Sequence, residues 1–143
     1  MTIKDITIFK DIKDTEQPFF RNVEFILDRI KDGRTKELIK RIRSEKDKTT
    51  INELKQQLPA ICFSGRFTKR NDQSLVEHSG LVCLDFDAYK KKKDLLEAKE
   101  NLSKDKYIYS VFISPSGKGL KALVKIPDDA ETVSYTHLRA HET

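Results

Sequence analysis

The chain has no tryptophan, one methionine, two cysteines and only three histidines in 143 residues. Nor does it have an apolar run near the roughly 20 residues that a membrane-spanning helix needs, so membrane insertion is not expected. Cys62 and Cys83 lie inside apolar stretches, without the spacing of metal ligands. Neither a disulfide framework nor a zinc ribbon is supported, and buried reduced thiols in a cytoplasmic protein are expected. No signal peptide is read in the sequence, so export is not expected. Histidine is scarcer than its count suggests. The last eleven residues, "VSYTHLRAHET" from Val133 to Thr143, look like one reading frame of a sequencing adapter. On that reading the native chain is legible over residues 1–132 and incomplete at its C-terminus, and 133–143 is set aside. His137 and His141, whose four-residue spacing imitates a helical zinc pair, go with it. His78 alone remains, too little for a histidine-rich metal site or a Ser-His-Asp arrangement, and it reads as a turn or strand-entry residue.

Charge, by contrast, is plentiful. Lysine and arginine total 28 against 23 acids, a net +5 that favours polyanionic partners such as nucleic acid. The pattern divides the chain in two. "ITIFKDI" alternates as a strand does. "NVEFILDRIKDG" places Val23, Ile26, Leu27 and Ile30 at helical spacing between an Asn22 cap and a Gly33 stop. "TKELIKRIRSEKDK" and "TINELKQQLP" predict two further helices, the second closed by Pro59. After Pro59 come short strands: "AICFSGRF", a largely apolar "GLVCLDFD" expected at the centre of a sheet, "KYIYSVFIS" and "LKALVKI". The helix "KKKDLLEAKENLS" interrupts them, with Leu95, Leu96 and Leu102 expected inward, and "PSGKG" joins the last two strands as a hairpin. The fold class expected is α+β: a helical N-terminal third packed on one face of a small, mostly antiparallel sheet.

Three features carry chemistry. Residues two apart on a strand share a side, so Asp85 and Asp87 project together at the end of an apolar run. Such a pair suits hard divalent cations, Mg or Mn, which take oxygen ligands and in two-metal sites clamp a phosphoryl transfer. Two wetted acids at a strand end are the plainer alternative. In "SPSGKGLK", Gly117 and Gly119 allow a sharp turn whose amides approach an anion, with Ser116, Lys118 and Lys121 beside them, although the P-loop pattern is missing. The alternative there is a hairpin turn with solvated lysines. In "FSGRFTKRND", Arg66, Lys69 and Arg70 form a basic loop that would hold phosphate or merely face solvent.

The series "LPAICFSGRFTKRNDQSLVEHSGLVCLDFD" followed by "ISPSGKGLKALVKI" resembles the N-terminal domain of virulence-associated E proteins, the BT4734-like family of mobile elements. The likeness covers almost all of residues 1–132, and that family is similar to the archaeo-eukaryotic primase superfamily. The resemblance implies a primase-polymerase-like core with an RRM-like unit, and a nucleotidyltransferase that makes primers from nucleoside triphosphates on a single-stranded DNA template. A helicase-type ATPase in the same full-length chain is implied as well. Asp85 and Asp87 match the superfamily's D-x-D motif; "PSGKGLK" matches its phosphate turn, with Lys121 where a histidine would stand. By the same resemblance Arg66 assists at the phosphates. A third acidic motif has no match before Thr132, since Asp128 and Asp129 follow Pro127 as in a turn. A non-catalytic module binding single-stranded nucleic acid is the second reading. A haloacid-dehalogenase-like phosphatase is the third, disfavoured because Ala88-Tyr89 follows the D-x-D where Gly-Thr is usual.

Overall fold

The computed structural model describes residues 3–33, 35–87 and 89–126. Within them the chain is mixed α/β, with eight strands, four α-helices and one short 3-10 turn at Asp72–Ser74. Instead of a single sheet there are three small antiparallel ones. Strand β1 (Ile6–Phe9) lies between β2 (Phe19–Arg21) and β3 (Ala60–Cys62). Strands β4 (Gly65–Phe67) and β5 (Leu75–His78) form a pair, and β8 (Leu120–Lys125) runs between β6 (Leu81–Phe86) and β7 (Ile108–Ile113).

The division has local causes. "AICFSGRF" reads as one strand, but it breaks at Phe63–Ser64 into β3 and β4. Gly65 sits so close to β5 that a Cβ there would lie 2.1 Å from the Glu77 carbonyl oxygen. Thr7, fully buried at the centre of the first sheet, stitches β1 to β4: its hydroxyl donates to the Gly65 carbonyl at 2.7 Å and accepts from the Phe67 amide at 2.9 Å. A buried hydroxyl is tolerated when both of its roles are filled this way. The apolar β6 is not the centre of its sheet, as its composition suggested; β8 is. Of β6, Leu81, Val82 and Cys83 are buried, whereas Leu84 is exposed and Phe86 half-buried. Leu81 and Cys83 pack with Ile6, Val23, Ile26, Phe63 and Leu123, and burial of each such side chain is worth about 1.5–3 kcal/mol. A smaller cluster gathers Phe9, Cys62 and Phe67. Both cysteines are buried and reduced.

The helices form where capping and spacing direct them. In α1 (Val23–Lys31) the Asn22 side chain accepts from the Phe25 amide at 2.8 Å, Val23 and Ile26 are buried, and Gly33 ends the turn at φ +71°. Ile30 belongs to the same spacing but stays exposed, because the inward stripe of this two-turn helix stops a turn earlier. In α2 (Lys36–Ser44) Ile42 is the buried anchor. Asp47 caps α3 (Lys48–Lys55) by accepting from the amide and hydroxyl of Thr50, which hold its carboxyl below the usual range. In α4 (Lys92–Ser103) Leu95 is buried against the third sheet and Leu102 half-buried, whereas Leu96, about 100° further round the helix, is exposed rather than inward. No helix among the described residues is long and apolar enough to cross a membrane.

Candidate functional site

The pairing of β6 with β8 builds the site. Its register sets Asp85 opposite Lys121 and Phe86 opposite Leu120. Side chains of directly opposed residues lie close enough to interact. Lys121 Nζ accordingly donates to Asp85 Oδ1 at 2.9 Å, and the two side chains are 23% and 24% exposed. The charge on Asp85 is therefore compensated within the protein, by a residue read from the sequence as a phosphate contact.

Asp87 lies just beyond the end of β6, and its carboxylate reaches the turn that joins β7 to β8. A Cβ on Gly119 would lie 2.8 Å from Asp87 Oδ1, 2.9 Å from the Phe86 carbonyl oxygen and 3.3 Å from Ser114 Oγ. Three oxygens thus converge on the space that only glycine leaves open. The turn is closed by hydrogen bonds from the Ser114 amide to the Gly119 carbonyl and from the Gly117 amide to the Ser114 carbonyl, each 2.9 Å. Gly117 takes φ +79°, which glycine adopts without strain. The Lys118 amide donates to Ser116 Oγ at 3.2 Å, and the hydroxyls of Ser114 and Ser116 are 3.1 Å apart. The amides of Gly117 and Lys118 are thus spent within the turn. The Lys118 side chain is exposed, and its carbonyl accepts from the Tyr89 amide at 3.0 Å.

One contributor had no local signal in the sequence. Arg43, at the end of α2, donates from Nη2 to the Ser114 carbonyl at 3.0 Å and from Nε to the Pro115 carbonyl at 3.3 Å. Its side chain also passes within 3.4 Å of the place where a Cβ on Gly117 would sit. The dense basic face of α2 was legible, but the meeting of two residues more than 70 apart in sequence was not.

The structure therefore brings Asp85, Asp87, Ser116, Gly117, Lys118, Gly119 and Lys121 to one end of the β6–β8–β7 sheet. Arg66 stands elsewhere. It lies on β4, its guanidinium 5.6 Å from the Phe20 ring centroid and its Nε 3.8 Å from Glu77 Oε1, and it has no described contact with the turn. Lys69 is an exposed loop residue near Glu16, at 3.9 Å. His78 ends β5, where its Nδ1 accepts from the Gly80 amide at 3.0 Å. Asp128, Asp129, His137 and His141 lie outside the described residues.

The donors around Gly119 suit a hard cation in kind: a carboxylate, a carbonyl and a hydroxyl, with a second carboxylate at Asp85. Among the described residues there is no cluster of three or more acids, histidines or cysteines that would complete a metal site unaided.

Comparison with known proteins gives one match. The model of the BT4734-like N-terminal domain matches residues 53–142, a span that contains the D-x-D, the glycine turn and all but the last residue of the adapter-like tail. No curated protein and no solved structure matches the chain. The match covers more than half of the sequence, and the chain belongs to the BT4734-like N-terminal domain family.

Proposed function

We propose that this end of the sheet is the nucleotide site of a primase-polymerase-like domain, which holds a nucleoside triphosphate for primer synthesis when a mobile element replicates. The observation that carries the reading is the convergence of Asp87 Oδ1, the Phe86 carbonyl and Ser114 Oγ on Gly119, beside the Asp85–Lys121 pair. Asp85 and Asp87 would hold Mg or Mn, which supplies charge neutralisation for a triphosphate and activation of a 3′-hydroxyl. The Asp85–Lys121 pair is then the resting arrangement. With a divalent cation held by Asp85, the Lys121 ammonium would be free on its flexible stem to serve as a point charge for a phosphate oxygen. Lys118 adds a second cation, this one exposed, Ser116 a hydroxyl, and Arg43 fixes the turn that carries both. Positioning and charge neutralisation do most of the work in phosphoryl transfer. Arg66 has no part in this reading, because its contacts are with Phe20 and Glu77.

A second reading, a non-catalytic module that binds single-stranded nucleic acid beside a helicase, is favoured by two observations: Asp85 is already neutralised, and no third acid joins the pair among the described residues. The two separate in one experiment. On the first reading, Asp85→Asn and Asp87→Asn each abolish manganese-dependent binding of a nucleoside triphosphate, measured by calorimetry. Binding of a single-stranded oligonucleotide that falls with salt but ignores manganese, with no triphosphate binding, supports the second instead.

A further inference from the structure

A second surface lies away from the glycine turn, on residues outside the span of the family match. Three of the eight phenylalanines, Phe19, Phe20 and Phe25, are exposed on β2 and α1, although the chain has few aromatics to place. Each carries an arginine. The Arg21 guanidinium lies 5.8 Å from the ring centroids of both Phe19 and Phe25, and that of Arg29 lies 5.5 Å from Phe25. The result is a continuous row: Phe19, Arg21, Phe25, Arg29. Arg21 is fixed in it by a hydrogen bond from Nη1 to the Phe20 carbonyl at 2.7 Å. On the reverse of β2, Phe20 meets Arg66. Among the described residues no carboxylate lies within ion-pair distance of Arg21 or Arg29. The row thus presents two uncompensated cations alternating with two rings that are 51% and 42% exposed.

We propose that this row is a binding surface for single-stranded nucleic acid, with bases stacked on the rings and guanidinium planes and phosphates neutralised by Arg21 and Arg29. Charge complementarity selects the occupant. An apolar protein surface laid on the row would desolvate two arginines and return no acceptor. A flexible polyanion with unstacked bases supplies a planar face for each ring and an oxyanion for each cation. Duplex DNA keeps its bases stacked and offers the rings nothing. The surface requires neither metal nor triphosphate, so it stands whether or not the nucleotide site does.

The test is fluorescence anisotropy of a labelled oligothymidylate with the full chain, in EDTA so that the carboxylate site plays no part. Phe19→Ala with Phe25→Ala should weaken binding about tenfold per ring, whereas Phe19→Tyr with Phe25→Tyr retains it. Arg21→Gln with Arg29→Gln should flatten the dependence of log affinity on log salt by about 1.4, the value for two lost phosphate contacts on a single strand. All three variants should melt close to the parent, because Phe19, Arg21 and Phe25 are exposed and Arg29 is only half-buried. Parental affinity in the alanine variant would overturn the proposal. So would equal weakening in the tyrosine variant, or no binding by the parent. An alanine variant that altered sedimentation but not oligonucleotide affinity would assign the row to a second copy of the chain.

Discussion

At Gly119 the space that a methyl group would occupy is already claimed by a carboxylate oxygen and a backbone carbonyl at under 3 Å. The carbonyl belongs to β6 and cannot swing aside, so Gly119→Ala should part β6 from the turn. Overpacking of this kind typically costs about 1–3 kcal/mol. Urea denaturation should show that loss in the midpoint, with manganese-dependent triphosphate binding impaired as well. Asp85 behaves differently. Its ion pair is partly exposed, so Asp85→Asn should lower stability by no more than about 1 kcal/mol, visible as a small shift of the same midpoint. At this scale the sequence was informative about identity and silent about pairing. Asp85 lies within β6 and Asp87 just beyond its end, as their two-residue spacing on one strand requires. That Lys121 would be bound to Asp85 depended on the β6–β8 register, which is fixed by pairing between residues 36 apart.

Between elements, two long-range contacts tie helices to the third sheet. Arg43 clamps the carbonyls of Ser114 and Pro115 from α2. Removing it by Arg43→Ala should leave the global fold intact but loosen the turn, so that the Gly117 amide exchanges with solvent about tenfold faster. An unchanged exchange rate would show that the glycine turn holds its shape unaided. Tyr109 on β7 donates its hydroxyl to Glu24 on α1. Burial, together with that bond and the charge of Glu24, pushes its pKa up to about 12 from 10.0. The folded state thus favours the protonated phenol, and the stability it contributes is complete below pH 10 and lost as pH rises toward 12. The stability difference between the parent and Tyr109→Phe should shrink across that window; a constant difference would show that the folded state does not raise the Tyr109 pKa. Elements with a buried stripe, such as α1 and β6, were legible as elements because periodicity records burial. Strand β2 was not: all three of its residues are exposed, so it has no alternation to read. The break between β3 and β4 was hidden for the opposite reason, since Cys62, Phe63, Ser64 and Gly65 are all buried and look like one continuous strand.

Across the whole molecule, chemistry is divided between two regions. One end of the β6–β8–β7 sheet collects oxygens, two lysines and a glycine turn; β2 and α1 expose rings and arginines. On the readings proposed, a net charge of +5 suits both, since triphosphates and single strands are alike polyanions. The central claim is that the Asp85–Lys121 pair is the resting form of a metal-nucleotide site. Calorimetric titration of a nucleoside triphosphate into the chain at rising manganese concentration tests it directly. The account predicts an affinity that climbs with manganese, disappears in EDTA and is lost in Asp87→Asn. An affinity indifferent to manganese, or unchanged in that variant, would contradict it.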